Sequence, residues 1–437
     1  MTSNEDEIND KSSKGNWNEY TLGNITKIIG GGTPSTKVPS YWNGNIPWIT
    51  PKDLSIQKSK YIEFGGRNIT KNGLINSNAN LIPPNSIILS TRAPIGYIAI
   101  ARRELTTNQG CHTLLPSDNF DSEFLYYLLK KNVEFLKSQS NGSTFGELSS
   151  KTLKEIKFLF PPLKEQKAIA KILSDLDSKI ELNQKMNKTL EAIAQAIFKH
   201  WFIDFEFPNE EGKPYQSSGG EMVDSELGEI PKGWEVKSVA DVTDIIRGVS
   251  YRSDQLVPSE NALVTLKSIL RGGGFTKNGF KSYSGDYKIN QRLNPHDVIM
   301  AFTDLTQQGD VIGRLALVED TAEYKNIMAS MDIGIIRFKE NFPFKFFIYQ
   351  LMKSDSFHSH VLAYVNGTTV LHLSKEGPRS YKFSSPEIGC LIRFENLMPF
   401  FYDKIRNNSK QMEFLKLIKD LLLPKLMSGK IRISLED

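Results

Sequence analysis

At 437 residues the chain is too long for one hydrophobic core, so a single-domain protein is excluded and two or three structural units are expected. Hydrophobic residues make up 39% of the sequence and charged residues 24%, which excludes wholesale disorder, and the net charge of +4 is too small to establish a nucleic-acid partner by itself. Cys111 and Cys390 stand far apart without a metal-ligand spacing, which excludes a disulfide framework and a structural zinc site.

The predicted elements begin with a polar, acidic tail over residues 1–14. A signal peptide would need a basic and then an apolar run there, and no apolar run in the chain approaches the roughly 18 residues of a membrane span. We therefore expect a cytoplasmic protein that is neither exported nor inserted in a membrane. The remaining segments are a mainly β domain (15–160), a helical region (161–205), a polar linker rich in Gly and Pro (206–231), a second mainly β domain (232–385) and a second helical region (386–430).

Both β domains carry short β-branched runs, such as IPWIT and DVIMAF, separated by Gly, Pro and Asn. One helix is predicted in each domain, over FLYYLLKKNVEFLK from Phe124 and FKFFIYQLMK from Phe344, because long apolar runs without Gly or Pro favour helices over short strands. The predicted fold class is α+β.

The chain also repeats itself. NGSTFGELSSKTLKEIKFLFPP from Asn141 matches NGTTVLHLSKEGPRSYKFSSPE from Asn366 without a gap, with eight identities in 22 positions at an offset of 225. Upstream, Trp17 matches Trp234 at an offset of 217, and LIPPNSIILST parallels LNPHDVIMAFT, which sets Arg92 opposite Asp304. These matches predict a tandem duplication in which each β domain is followed by a long helix.

Apolar residues in the helical regions are spaced alternately by four and three, the heptad pattern of a coiled coil. The seam contains Ile169, Leu173, Leu176, Ile180, Asn183, Leu190 and Ile197 in the first region and Ile405, Asn408, Met412, Leu415, Lys419 and Leu422 in the second. We expect the two helices to pair as an antiparallel coiled coil. Asn183 and Asn408, which coincide at the offset of 225, either find hydrogen-bonding mates in the seam or face solvent. Pro399 predicts a break in the second region.

Motifs of catalysis are missing from the sequence. There is no GxxxxGK[ST] phosphate loop and no zinc-protease or deaminase signature, and GGGTPS from Gly30 and RGGGF from Arg271 are interpreted as turns. The HSH triplet from His358 is interpreted as a surface accident rather than a metal site, and Cys111, beside His112, is interpreted as a buried structural residue. The chain is therefore predicted to bind rather than to catalyse, with no catalytic residue and no metal site.

Basic residues interleaved with aromatic residues concentrate in two stretches, over 52–71 and 264–292. Such stretches, with the polar turns beside them, suit contacts to phosphates and base edges, although a solubilising surface would have the same composition. The candidate DNA-binding residues are Thr33, Ser35, Lys37, Lys58, Lys60, Arg67 and Arg92 in the first copy and Lys267, Arg271, Lys277, Lys281 and Arg292 in the second.

Several long motifs resemble the specificity subunits of type I restriction-modification systems. They are WNEYTLGNITKIIGGGTPS with YWNGNIPWITPKDL, ILSTRAPIGYIAIA with TNQGCHTLLP, FPPLKEQKAIAKILSDLDSKIELNQKMNKTLEAIAQAIFKHWFIDF, and DLLLPKLMSGKI near the end. In this order they cover nearly the whole chain. The second copy departs from the pattern, because it has RGVSYRS in place of GGGTPS and no apparent counterpart of YWNGNIPW.

The resemblance implies two target recognition domains, each of which reads half of a split, asymmetric double-stranded DNA site, with the paired helices as a ruler between them. It implies assembly with two methyltransferase subunits and with restriction subunits that translocate DNA. S-adenosylmethionine, ATP and Mg would belong to those partners, and no cofactor is expected in this chain.

Two other classes of function stay open at this point. One is a stand-alone nuclease or methyltransferase with unrecognised catalytic residues, although NPHD from Asn294 does not match the Asn/Asp-Pro-Pro-aromatic tetrapeptide of adenine methylation. The other is a coiled-coil scaffold that binds no DNA. Salt-dependent binding to duplex DNA by the assembled complex would discriminate, because only phosphate contacts release counterions.

Overall fold

The computed structural model describes residues 16–57, 59–92, 94–118, 120–140, 146–306, 308–319, 321 and 323–433. The chain forms two compact units: unit 1 comprises Met1–Gln184 and Ser409–Asp437, and unit 2 comprises Lys185–Asn408. The predicted tail over 1–14 lies outside the described residues, as do Asn141, Gly142 and Thr144 of the repeated segment.

Unit 1 combines three small sheets with short helices and the first part of a long one. The strands are β1 Asn18–Thr21, β2 Ile28–Gly30, β3 Trp42–Ile49, β4 Tyr61–Ile62, β5 Arg67–Ile69, β6 Ile87–Ser90, β7 Ile98–Ala101, β8 Thr106–Thr107, β9 Cys111–Leu114 and β10 Lys157–Phe160. The helices are α1 Leu22–Ile25, α2 Pro51–Ile56, α3 Lys71–Ile75, α4 Ser122–Lys131, α5 Val133–Ser138, α6 Ser150–Glu155 and α7 Leu163–Phe202, which continues into unit 2.

The central sheet of unit 1 has the order β2-β9-β6-β7-β4 and is covered on both faces. Ile87 and Leu89 of β6 pack with Phe124 and Leu128 of α4, whereas Ile88 between them packs with Ile49 on the opposite face. Because successive side chains of a strand point to opposite faces, a strand buried on both sides carries a continuous apolar run, which explains the sequence IIL.

Unit 2 contains the remaining strands and helices. The strands are β11 Met222–Ser225, β12 Gly228–Pro231, β13 Glu235–Ser238, β14 Thr243–Arg247, β15 Asn261–Val264, β16 Phe280–Ser282, β17 Arg292–Leu293, β18 Val298–Ala301, β19 Thr303–Asp304, β20 Leu315–Leu317, β21 Asn326–Ala329, β22 Ile333–Phe338, β23 Val365–Asn366, β24 Leu371–Leu373 and β25 Lys382–Ser385. The helices are α8 Val239–Val242, α9 Lys345–Lys353, α10 Asp355–Leu362, α11 Glu376–Ser380 and α12 Ile388–Leu426, which continues into unit 1.

The sheet β14-β22-β18-β20 of unit 2 is also buried on both faces. Val298 and Met300 of β18 pack with Phe347 of α9, and Ile299 packs into a second cluster on the other face. The mixed α and β architecture predicted from the sequence is therefore present in both units.

Strand registers in the two units coincide once the sequence offsets are applied. Strand β1 pairs with β10 from Asn18↔Phe160 onward, and β13 pairs with β25 from Glu235↔Ser385 onward. The offsets between these partners are 217 and 225, the same as those of the sequence repeat.

One pair from the sequence comparison is corrected by the structure. Arg92 forms a β-bridge to Glu147 in unit 1. The residue 225 positions after Glu147 is His372, and His372 pairs with Thr303 in unit 2. Arg92 therefore matches Thr303, and its alignment with Asp304 is wrong by one residue. The ungapped match followed the identity of Thr91 and Thr303, whereas hydrogen bonding of the buried strands sets the register.

Two segments differ from their predicted secondary structure. FLYYLLKKNVEFLK forms two helices, α4 and α5, separated at Asn132. The segment predicted as a linker over 206–231 contains the β11–β12 hairpin, and Phe207 is buried there between Tyr215 and Trp234, at ring-centroid distances of 4.6 and 5.1 Å. Its composition indicates turns but does not show that an aromatic stack fixes them.

Within unit 1, the part of α7 up to Gln184 runs antiparallel to the part of α12 from Ser409. Asp177 lies 2.6 Å from Lys419, and the Asn183 amide donates to Gln411 Oε1 at 2.8 Å. The charged seam position Lys419 is therefore paired, and Asn183 is only 1% exposed.

Within unit 2, the corresponding parts of the two helices also run antiparallel. The Asn408 amide donates to Asn187 Oδ1 at 2.8 Å, and Phe394 packs against Phe198 and Phe202 at centroid distances of 6.0 and 4.9 Å. Asn408 is 4% exposed, so neither seam asparagine faces solvent. The structure describes every predicted seam residue as buried or half-buried.

The predicted break at Pro399 is wrong, because α12 is continuous from Ile388 to Leu426. Proline removes one helical N–H and disfavours the helical conformation of the residue before it. Met398 and Phe401, 0% and 7% exposed, are buried in the core of unit 2 on either side of the proline. Tertiary packing there outweighs the local cost. No helix among the described residues is long and apolar enough to cross a membrane.

Candidate nucleic-acid interface

In unit 1 the candidate interface is built around two tryptophans of β3, which we call the tryptophan platform. Trp42 and Trp48 meet edge to face, with centroids 5.1 Å apart, and each is 6% exposed. Trp42 Nε1 donates to Ser35 O at 3.1 Å, and Trp48 Nε1 donates to Gly32 O at 2.9 Å. Both rings are fixed in orientation, and the same bonds tie the turn after β2 to the platform.

Arg67, the first residue of β5, covers the tryptophan platform. Its Cζ lies 3.6 Å from the Trp42 ring centroid and 5.8 Å from that of Trp48, while the side chain stays exposed to solvent. Such stacking fixes the plane of a guanidinium. Among the residues that the structure describes, this guanidinium forms no ion pair and no hydrogen bond. Its donors remain available to a ligand.

The turn beside the platform carries three predicted contact residues. Thr33, Ser35 and Lys37 are all exposed, and the Thr33 hydroxyl donates to the Gln109 amide oxygen. The turn approaches the neighbouring backbone so closely that a Cβ at Gly32 would lie 2.2 Å from the Asn78 carbonyl carbon. Glycine is required for that approach. The predicted turn at GGGTPS is displaced: residues 31–35 have no regular secondary structure, and the turn follows at Thr36 and Lys37.

Lys60, also predicted to contact DNA, is buried instead. Its side chain is 5% exposed, and its ammonium lies 2.9 Å from Glu123 Oε1 and 2.6 Å from Ser174 Oγ on α7. Burial favours the neutral form of Glu123, but hydrogen bonds from Ser174, Tyr61 and Lys60 outweigh it and lower the pKa of the carboxyl. Lys60 therefore holds the β domain to α7, and we remove it from the candidate interface. Lys58 lies outside the described residues.

Arg92 is the remaining candidate of unit 1, and it is paired within the protein. Its guanidinium lies 2.7 Å from Glu147, and the two side chains are 48% and 41% exposed. An exposed pair of this kind contributes little to stability and exchanges readily with another anion.

In unit 2 the strand β16 takes the position that β5 has in unit 1. In unit 1, Trp48 of β3 pairs with Arg67 of β5. In unit 2, Leu263 of β15 pairs with Lys281 of β16. Lys281 is exposed, and its ammonium lies 5.9 Å from the centroid of Tyr251. Both units therefore present a cation at the same strand position.

The other candidates of unit 2 differ in exposure. Lys267 is exposed, Lys277 and Arg292 are half-buried, and the exposed Arg271 lies 3.5 Å from Asp310. The RGGGF segment is a turn, as predicted, and its three glycines have φ values of 81°, 99° and 95°.

The loop that contains Asp310 is fixed by Asp304. This carboxyl is 2% exposed and accepts backbone N–H groups from Thr306, Val311 and Ile312 at 2.7, 2.6 and 3.0 Å. Burial favours the neutral acid, but these hydrogen bonds outweigh it and lower the pKa of Asp304. Asp304 is therefore a structural residue of the loop.

Comparison with known proteins assigns the chain to a family. The family described as "Type I restriction modification DNA specificity domain" matches residues 14–192. The MjaIX specificity subunit of Methanocaldococcus jannaschii is 37% identical over 428 residues, which cover 95% of this chain and 94% of that protein. The chain belongs to the type I restriction enzyme specificity subunits.

Two further specificity subunits resemble the chain along most of its length. The MjaVIII specificity subunit of the same organism is 25% identical over 425 residues, covering 95% of this chain and 93% of that protein. The crystal structure of a type I restriction-modification S subunit from M. genitalium has the same fold, with a TM-score of 0.56 at 14% identity over 96% of this chain and 97% of that one. The chain is thus a DNA sequence-specificity subunit.

Sequence reasoning missed several parts of the candidate interface of this specificity subunit. It named Arg67 but neither the tryptophan platform nor Tyr251, although two tryptophans six residues apart in a β run are a signal for a shared face. It also found no counterpart of YWNGNIPW, whereas β15 pairs in parallel with β21 from Asn261↔Asn326 onward as β3 pairs with β8 from Trp48↔Thr106. The unit 2 strand lacks tryptophan, so the sequences do not align.

In the described part of the specificity subunit, the His and Cys side chains that the sequence singles out have structural surroundings. None of its His, Cys, Asp and Glu side chains within the described ranges cluster in threes that could hold a metal ion. Cys111 and Cys390 are buried, and desolvation raises the pKa of each thiol to about 12. The ring nitrogens of His358 and His360 lie 3.2 and 3.1 Å from the carbonyl oxygens of Ile312 and Gly377, which gives the HSH triplet a structural explanation.

Proposed function

We propose that this specificity subunit reads a bipartite, asymmetric DNA site and is itself non-catalytic. One half-site is read by the target recognition domain over 15–160 and the other by the domain over 232–385. In this proposal the two domains arose by tandem duplication, and the segment over 206–231 links the copies.

The observation that carries the proposal is a shared frame in which matching positions carry different residues: Arg67, Lys281 and Arg92 are exposed, whereas Thr303 is 5% exposed. The paired strands β1·β10 and β13·β25 keep one register, which supports a duplication. Yet Arg67 stands where unit 2 has Lys281, and Arg92 stands where it has Thr303. Because base edges are discriminated by side-chain donors and acceptors, such differences favour unlike half-sites.

We further propose that α7 and α12 pair as an antiparallel coiled coil that spaces the half-sites. The heptad seam and the antiparallel contacts within each unit, such as Asn183 with Gln411 and Asn408 with Asn187, support this pairing. Adding one heptad to both helices should lengthen the spacer of the recognised site. An unchanged spacer in a folded variant would contradict the ruler.

The chemistry would then be carried out by partners in the cytoplasm. The proposed complex contains two methyltransferase subunits, which bind S-adenosylmethionine, and restriction subunits, which hydrolyse ATP with Mg. Apolar side chains exposed on α12, among them Phe400 at 73% and Phe414 at 63%, offer contact area for such partners.

The test is to purify the specificity subunit with its methyltransferase subunits and map adenine methylation on genomic DNA. We expect one split motif, and exchange of residues 15–160 for those of another family member should change only one half of it. Absence of a split motif, or an unchanged motif after the exchange, would overturn the proposal. Methylation or cleavage by the isolated chain would favour a stand-alone enzyme, and absence of salt-dependent DNA binding would favour a scaffold.

A further inference from the structure

We propose that Arg67 reads a guanine through the major-groove edge of one half-site, whereas Lys281 at the matching position contacts the phosphate backbone. This inference rests on the proposed function and deepens it, since it assigns a base to one residue and only a charge contact to its counterpart.

The first step is the fixed plane of the Arg67 guanidinium. It lies 3.6 Å from the centroid of Trp42, whose ring cannot turn without breaking the bond from Nε1 to Ser35 O at 3.1 Å. Trp48, anchored to Gly32 O at 2.9 Å, lies next to the stack, with its ring centroid 5.8 Å from Arg67 Cζ. A stacked guanidinium directs its N–H groups outward along its own plane, so the stack prearranges a two-donor fork.

The second step is that this fork has no hydrogen-bonding or ionic partner among the residues that the structure describes. Within the described ranges, the side chains near Arg67 give it aromatic contacts but neither an ion pair nor a hydrogen bond. By contrast, Arg92 is paired with Glu147 at 2.7 Å and Arg271 lies 3.5 Å from Asp310. Arg67 is therefore a prearranged cation with no anionic partner in the described part of the chain.

The third step is the chemistry of the base that suits such a fork. Guanine offers two acceptors, O6 and N7, on its major-groove edge, and a bidentate arginine is the side chain that matches them. A phosphate also accepts two hydrogen bonds, but backbone contact does not require a fixed plane, because any flexible cation supplies it. The restraint by two tryptophans favours the base.

Unit 2 provides the internal comparison. Lys281 occupies the same strand position, but Leu263 replaces Trp48, and the ammonium lies 5.9 Å from a single ring, that of Tyr251. An ammonium on a flexible chain is a point charge without a planar fork. We therefore assign Lys281 to a phosphate.

The experiment uses the complex with its methyltransferase subunits and duplex oligonucleotides that carry the mapped motif. Each G·C pair of each half-site is replaced in turn by the three alternatives, and relative methylation rates and binding constants at several salt concentrations are measured for wild type, Arg67→Lys, Arg67→Ala and Lys281→Ala. The matched control is Arg103→Ala, which removes an exposed arginine that lies 5.0 Å from the Phe64 ring, a ring that is itself 59% exposed.

For Arg67→Lys we expect discrimination at one guanine to fall by roughly 5- to 150-fold, the range of one bidentate base contact, with other positions unchanged. Lys281→Ala should weaken binding to all sequences equally and lower the slope of log K against log salt by about one. Arg103→Ala should alter no base preference.

Two results would overturn the inference. One is an equal loss on every sequence for Arg67→Lys, together with a reduced salt dependence for Arg67→Ala, which would make Arg67 a phosphate contact. The other is unchanged discrimination in both Arg67 variants. If the wild-type complex yields no split motif, the proposed function fails; if the motif exists and the variants leave it intact, only this inference fails.

Discussion

Replacing Lys60 with methionine should destabilise unit 1 and leave the salt dependence of DNA binding unchanged. The ammonium is 2.9 Å from Glu123, 2.6 Å from Ser174 Oγ and 5.7 Å from the Tyr127 ring centroid. A lysine buried in this way cannot release counterions from DNA. Its replacement should therefore lower the free energy of unfolding and leave DNA binding unaffected.

The expected loss in free energy of unfolding depends on how exposed the remaining partner is. Removing one member of a buried ion pair costs about 3–5 kcal/mol when the charge that remains is shielded from solvent. Glu123 keeps 27% exposure and still accepts the hydroxyls of Tyr61 and Ser174. We therefore expect Lys60→Met to cost about 2 kcal/mol. Glu123→Gln leaves an ammonium that is 5% exposed without its counter-ion, and should cost about 3–5 kcal/mol.

Thermal unfolding followed by circular dichroism measures both variants. At about 2–4 °C per kcal/mol for a body of 150–250 residues, the midpoint should fall by about 4–8 °C for Lys60→Met and further for Glu123→Gln. The matched control is Lys37→Met, an exposed lysine of the same unit, which should change stability by less than about 0.5 kcal/mol. An unchanged midpoint for Lys60→Met with a salt slope reduced by about one would refute the buried pair.

Three further predictions concern Glu123, Pro399 and the loop fixed by Asp304. The pKa of Glu123 is lowered in the folded protein. Its contacts therefore stabilise the protein above the unfolded pKa of about 4.3, and this stabilisation is lost as the pH falls through the folded pKa. In urea unfolding, the difference in free energy of unfolding between wild type and Glu123→Gln should shrink below about pH 5. Pro399→Ala should raise the free energy of unfolding by about 1–3 kcal/mol, because it restores a helical N–H, whereas a loss would indicate that the helix needs the proline. Asp304→Ala should cost about 1–3 kcal/mol and speed hydrogen exchange across residues 306–312, and unchanged exchange there would contradict its role.

The sequence was sufficient for features that depend on local periodicity. The heptad spacing identifies the seam because the side chains of a helix face the same way every three or four residues. The β-branched run DVIMAF predicts a strand for the same kind of reason, and β18 lies there. These predictions needed no knowledge of distant residues, and the long helices and central strands are confirmed.

Features set by distant partners could not be predicted in this way. Lys60 was counted with the basic surface because its partner Ser174 lies 114 positions away. The helix continues through Pro399 because core packing on both sides holds it, and propensity alone does not include that packing. The strand register beside Arg92 depends on a bridge to Glu147, so an ungapped alignment placed it one residue out. Burial and register are properties of the folded chain.

The contacts that hold each recognition domain to its helix keep their places while the residues change. Tyr127 donates to Asp177 at 2.7 Å in unit 1, and at the matching positions Gln350 donates to Tyr402 at 2.6 Å in unit 2. These groups are mostly buried, so an unmatched substitution there leaves a polar atom without a partner and costs stability.

The cations at the shared strand position are under no such constraint. Arg67 and Lys281 are exposed, and substitutions at exposed positions usually change stability by less than about 0.5 kcal/mol. Under the proposed function, the bases that each domain reads are set by exposed residues, whereas the distance between half-sites is set by the buried seam of α7 and α12. It follows that the recognised bases can change by substitutions that the fold tolerates, while a change of spacing requires both helices to change together.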